Sequence, residues 1–217
     1  MNPIEIQSPV KGEWSFMNPP GHHPDAKDFV AVNAKGAPYP LICVVYHLFY
    51  KLSVTDTFAW GKEVFSPFEG IVRATEDDQN DRVSLNLFRD LFTGLVIAPR
   101  NTNKGIEFFV GNHVIIESTE EISVETSTKT FALLAHLKKA SVVVNEGQHV
   151  QMGQVVAQVG NSGNSIQPHL HFQLMKENDP AKAWPVPFLL KSYLINKNGE
   201  WRSAKSALPR NYQHFKV

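Results

Sequence analysis

A single cysteine, Cys43, stands among 217 residues. It excludes an internal disulfide framework and any zinc cage built from several thiolates. Its apolar neighbours Leu41, Ile42, Val44 and Val45 place it on a buried strand, as an inert core thiol. No apolar run approaches the roughly 20 residues needed to cross a bilayer as a helix. Charge of one sign is also missing: 21 basic and 21 acidic side chains leave a formal net charge of zero. That balance removes the electrostatic case for nucleic acid or an anionic membrane as partner. The first residues, Met1-Asn2-Pro3-Ile4-Glu5-Ile6-Gln7, have neither the basic nor the apolar region of a signal peptide. The protein therefore works where it is made, leaves by a route not written here, or is shown after removal of a leader.

Long helical stripes are scarce as well. Short apolar segments separated by turns fill the chain instead, at 28–32, 40–49, 70–74, 83–88, 95–98, 106–109, 113–117, 130–137, 155–159 and 169–174. Such spacing predicts a mostly-β fold, an antiparallel sheet or sandwich with few short helices. Helical turns are expected only at 88–92 and 135–140. Residues 35–39, 75–82 and 99–105 read as loops, the second of them rich in acid, and 120–129 as polar but β-prone. After Lys176 the prolines 180, 185 and 187 mark an irregular segment, followed by a strand or hairpin turning at Asn198-Gly199. With 42% apolar residues and no linker or repeat, residues 1–217 are expected to form one domain. Its core is placed at about 20–175 and a C-terminal extension at 176–217.

The most informative segment is Gln167-Pro168-His169-Leu170-His171-Phe172. Residues two apart on a strand share a face, so both imidazoles project together from a rigid mount, with Pro168 at the strand's start. Two such histidines suit a zinc site. Upstream, Gly147 to Val159 alternates short apolar strands with turns and leads into Gly160-Asn161-Ser162-Gly163-Asn164-Ser165. His136 closes the apolar run from Phe131, and Gly21-His22-His23-Pro24-Asp25-Ala26-Lys27-Asp28 brings histidine and carboxylate close together.

In this order the segments resemble the lysostaphin-type zinc metalloendopeptidases, which cut peptides of bacterial peptidoglycan. That family carries a His and Asp pair, a His at a strand end, a Gly- and Asn-rich loop and then His-x-His. Gly61 to Val72, with Ser66-Pro67, and Gly111-Asn112-His113-Val114-Ile115 are similar to two further strands of the family. The resemblance runs from about residue 20 to about residue 175. It implies hydrolysis of peptide bonds in peptidoglycan stem peptides or cross-bridges, by zinc-activated water with histidine assistance. A cell-envelope or secreted location follows from the resemblance alone.

By the same resemblance the zinc ligands are Asp28, His171 and one of His22 and His23, with His23 favoured and Asp25 as the fallback carboxylate. This set of two histidines and a carboxylate leaves a coordination position open for water. His136 and His169 become the catalytic histidines, accepting a proton from the attacking water and steadying charge in the tetrahedral intermediate. The chain departs from the family's His-x-x-x-Asp spacing, because Pro24 stands four residues before Asp28. A family member that binds peptidoglycan or regulates a partner hydrolase without cutting is the alternative. Residues 144–158 also resemble half of a biotinyl or lipoyl carrier domain, but no lysine occupies the turn that would carry the cofactor. The remaining histidines have unremarkable settings: His47 on an apolar strand, His113 and His149 facing solvent, His214 in the tail. Asn161 and Asn164 are expected to shape the loop before the motif.

Overall fold

The computed structural model describes residues 2–18, 23–40, 51–86, 106–119 and 129–217. The readings made for Cys43, His47, the helical turn at 88–92, the strand at 95–98, the loop at 99–105 and most of 120–129 lie outside them. Among the described residues the fold is mostly β. Its strands are β1 (Ile4–Ile6), β2 (Glu13–Met17), β3 (Lys27–Ala31), β4 (Leu52–Ser53), β5 (Glu63–Phe65), β6 (Gly70–Glu76) and β7 (Ser84–Leu85). These continue as β8 (Asn112–Ser118), β9 (Phe131–Leu137), β10 (His149–Val150), β11 (Val155–Gln158), β12 (Leu170–Met175), β13 (Phe188–Lys197), β14 (Glu200–Ala207) and β15 (His214–Lys216).

One large sheet runs β1-β13-β15-β2-β3-β12-β9-β8-β6-β10, with β14 also paired to β13. All its pairings are antiparallel except β1 with β13. Side-chain alternation divides its two faces. Leu170, Phe172 and Leu174 of β12 join Phe29, Leu134, Ala132, Val114 and Ile116 in the main core. The small β5–β11 sheet closes that core with Val64, Val156 and Ala157. The opposite face holds a second cluster: Val110, Ile115, Phe131, Leu133, Ala135 and Met175. Strands β8 and β9 are thus covered on both sides, which is why they read as continuous apolar runs.

The terminal segments belong to the same core. Phe16 of β2 meets Phe29 and Phe215 with ring centroids 4.6 and 5.0 Å apart, and Phe172 meets Phe188 at 5.0 Å. Tilted and edge-on aromatic pairs of this kind contribute about 0.5–1.5 kcal/mol each beyond their burial. The turn foreseen at Asn198-Gly199 joins β13 to β14, with both residues at positive φ (55° and 91°), the backbone of a two-residue hairpin turn.

Two expectations are corrected. Residues 106–109, read as a strand, begin a short helix, α1 (Ile106–Val110). A four-residue apolar run carries too little periodicity to separate the two forms. The helical turn expected from Ala135 is instead the end of β9, held between β8 and β12 by pairing on both edges. The chain turns only afterwards, at Ala140, where φ is 57°.

Candidate active site

The site lies on the second face of the sheet. Asp28 of β3 stands directly opposite His171 of β12 in the strand register, and His171 is also paired with Ala135 of β9. Because Phe29 and Phe172 point into the main core, Asp28 and His171 must project together to the other side. His171 Nδ1 lies 2.9 Å from Asp28 Oδ1, and its Nε2 lies 3.2 Å from Gln173 Oε1. With a proton on Nδ1 the ring donates to the carboxylate, the shorter and charge-assisted of the two contacts. A carboxylate and an imidazole nitrogen side by side are also of the kinds that bind a metal ion.

His169, just before β12, is buried at 5% exposure. Its Nδ1–H donates to the Gln167 carbonyl at 2.7 Å, with Ser165 Oγ 3.1 Å away. That contact turns Nε2 inward, 3.6 Å from Asp28 Oδ1, where it has no hydrogen-bond partner among the described residues. The group it faces is the Asp28 carboxylate, just beyond hydrogen-bond distance.

His136 arrives by a different device. Ala135 pairs with His113 and Leu137 with Asn112, leaving His136 as the extra residue of a β-bulge. Its φ is +60°, a left-handed conformation uncommon for a residue with a side chain. Bulges re-aim side chains beside active sites. Here the bulge brings the ring 4.7 Å from that of His169 and 5.9 Å from that of His171. Nδ1–H donates to the Ser162 carbonyl at 3.0 Å, so Nε2 again faces the site. Gly111 and Gly163 cross so closely that a Cβ on either would lie within 2.6 Å of the other's backbone, which fixes the loop bearing Ser162.

The electrostatics follow from burial and mutual contact. Burial, reinforced by His169 and His171, holds His136 well below the ordinary histidine value. Burial acts the same way on His169, but the Asp28 carboxylate reverses it and the net shift is upward. Asp28 is pushed up by burial and drawn down further by His169 and His171, ending well below the ordinary carboxylate value.

Other candidates fall elsewhere. His22 lies outside the described residues. His23 sits on the loop before β3, its Nδ1 accepting from the Asp25 amide at 3.2 Å and lying 3.8 Å from the Asp25 carboxylate. Its ring packs edge-on against Trp184 at 5.6 Å. Asp28, His136, His169 and His171 are thus brought together, whereas His23 and Asp25 face one another. Among the described residues, no three His, Cys, Asp or Glu side chains form a ready metal cage. His113, expected in solvent, is buried with Nδ1 against the Gly111 carbonyl at 2.8 Å, because β8 is covered on both faces. His149 is exposed beside Glu69 at 3.1 Å, and His214 pairs with Glu13 at 2.8 Å. Asn161 does shape the loop, its Nδ2 donating to the Arg82 carbonyl at 2.8 Å. Gln173 was not foreseen, although the same two-residue spacing that joins His169 to His171 extends to it.

On this mostly-β scaffold three histidines and a buried carboxylate are brought together. Residues 91–183 match the model of peptidase family M23, in keeping with the lysostaphin-type resemblance read from the sequence. The match contains His136, His169 and His171 and leaves out Asp28. None of the curated proteins compared matches the chain. Among solved structures, the chain is similar to the catalytic domain of the prophage-encoded M23 protein EnpA from Enterococcus faecalis. Identity there is 15%, covering 85% of this chain and 90% of that one, with a TM-score of 0.41. The catalytic domain of the antimicrobial peptidase lysostaphin from Staphylococcus simulans gives 16% identity, 83% and 84% coverage and a TM-score of 0.40. A zinc-containing peptidase from Vibrio cholerae gives 19% identity over 80% of this chain, with a TM-score of 0.39. The chain spans 36% of that protein's length. No helix among the described residues is long and apolar enough to cross a membrane.

Proposed function

We propose that the chain is a zinc-dependent endopeptidase acting on peptidoglycan stem peptides or cross-bridges at the cell envelope. The observation that carries this reading is the convergence on Asp28 of His171 Nδ1 and His169 Nε2, with His136 beside them. Asp28, His171 and one histidine of the 22–23 pair would hold the ion, which when bound supplies a Lewis acid and lowers the pKa of a water from about 15.7 to about 7. The protein's own contribution lies in His136 and His169. Each has Nδ1 tied to a backbone carbonyl and Nε2 turned inward, so the tautomer is set before substrate arrives. Burial keeps His136 neutral, suited to take a proton at Nε2 from the attacking water. His169 Nε2 is suited to donate to the developing oxyanion or to return the proton to the leaving amine.

Elemental analysis of the purified protein beside His22→Ala, His23→Ala and His171→Ala tests the ion. Near-stoichiometric zinc is expected, lost in His171→Ala and in one of the other two. Digestion of purified peptidoglycan tests the reaction: His169→Ala should keep its zinc and lose turnover by about 10²–10⁴-fold. Absence of zinc even after metal is added back would leave a peptidoglycan-binding module as the reading. The engagement of His23 with Asp25 rather than Asp28 is the observation that favours this second reading.

A further inference from the structure

Beside the histidines lies a cavity of about 210 Å³ with two kinds of wall. His136, His171, Asn164 and Gln173 make the polar side, and Phe109, Val110, Leu133 and Pro180 make the apolar one. The division is built into the fold. Leu133 and Val110 belong to the second core cluster, while His171 and Gln173 share their sheet face. Phe109 stands on α1, whose carbonyl receives the Asn164 amide at 3.1 Å, so the apolar wall and the loop opposite are tied together. Pro180 comes from the segment that leaves β12 and returns where Val186 N bonds the Leu174 carbonyl at 2.9 Å. Ala183 of that segment packs on the same cluster.

From this cavity, and resting on the endopeptidase reading above, we infer that the preferred substrate carries a compact apolar side chain on a residue next to the scissile bond. A run of glycines is then a poor substrate. The volume is below the roughly 300–1,000 Å³ of pockets for drug-sized ligands and matches one side chain rather than a larger group. The walls decide the chemistry. Leu133 and Val110 form the buried floor of the apolar wall, and Phe109 and Pro180 its partly exposed part; a glycine leaves that part against water, whereas an Ala or Leu side chain covers it. The amides of Asn164 and Gln173, on the polar side, are groups that can hydrogen-bond a peptide backbone. Among the described residues that line the cavity none is Lys, Arg, Asp or Glu.

The test compares three peptides, Gly-Gly-Gly-Gly-Gly, Gly-Gly-Ala-Gly-Gly and Gly-Gly-Leu-Gly-Gly, by their dissociation constants for zinc-reconstituted His169→Ala. That variant removes turnover without altering the cavity lining. The Ala and Leu peptides should bind about 10–200-fold more tightly than pentaglycine, the range set by filling a hydrophobic pocket. Adding Phe109→Ala, at a half-buried position that spares the core, should shrink that ratio several-fold by weakening the Ala and Leu peptides. Equal or weaker binding of the apolar peptides, or binding of none, overturns the inference. Turnover of peptidoglycan by the native protein is measured separately. A sound preference without turnover would sink the endopeptidase reading and keep the pocket; turnover with no preference would do the reverse.

Discussion

His136 is where local conformation, burial and charge meet in one residue. Its left-handed backbone costs about 1–2 kcal/mol relative to ordinary strand geometry, and the bulge around it maintains that geometry. Burial, then His169 and His171, hold its pKa well below the ordinary value. The unfolded chain, with a histidine pKa of about 6.5, therefore binds that proton more readily than the folded one. The corresponding stability is fully present above pH of about 6.5 and is lost as pH falls from there through the folded value. Asp28, also depressed, adds a loss of the same sign, in a window opening only below the ordinary carboxylate value of 3.8. His169, raised by Asp28, acts in the other direction, and its contribution is lost only as pH rises above about 6.5. Metal-free protein should accordingly melt at steadily lower temperature between about pH 6.5 and pH 5. In His136→Asn, where the new residue tolerates the left-handed backbone and cannot titrate, that slope should be shallower. Thermal melts of both proteins in the same buffers check it, and parallel slopes would remove His136 as the cause.

At the level of elements, the acid-rich loop after β6 does more than solvate the surface. Asp81 accepts from the amides of Asn161 at 2.6 Å and Lys139 at 2.8 Å, and Asp77 from those of Ser141 and Val142 at 3.1 and 3.3 Å. These carboxylates hold both segments that flank His136, including the one whose Ser162 carbonyl fixes its tautomer. Hydrogen bonds to a charged group contribute about 1.5–3 kcal/mol. Asp81→Ala should therefore lower stability by about 1.5–3 kcal/mol per bond lost and also cut turnover, whereas Asp77→Ala should lower stability with a much smaller effect on turnover. Urea midpoints and rates measured on both variants separate the two roles. None of this was legible in the chain, which showed only a polar loop at 75–82. The residues concerned are 58 to 80 positions apart, and no local pattern encodes such a partnership. His169 and His171 were legible because strand alternation is local, and that alternation also places Asp28 across from His171 once the register is known. The bulge at His136 was not, since it arises from a mismatch between two strands.

For the whole molecule, legibility followed burial on both faces. β8 and β9 announced themselves through apolar runs and β12 through its alternation, whereas β1, β2 and β15 are short and take their meaning from partners far along the chain. The main sheet interleaves both ends of the sequence: β13 lies between β1 and β15, and β15 lies between β13 and β2. A chain ending after Met175 would leave β1 unpaired and free the outer edge of β2. It would also lose Phe188, Leu190 and Phe215, each at 1% exposure or less, from the core shared with Phe16, Phe29 and Phe172. Burying three such side chains contributes about 4.5–9 kcal/mol, comparable with the 5–15 kcal/mol that separates most domains from unfolding. Residues 1–175 should therefore lack a cooperative thermal transition and expose apolar surface to a fluorescent dye, even though they carry Asp28 and all three site histidines. A truncated protein that melts cooperatively near the full-length temperature would show instead that the C-terminal strands are an addition to a self-sufficient peptidase core.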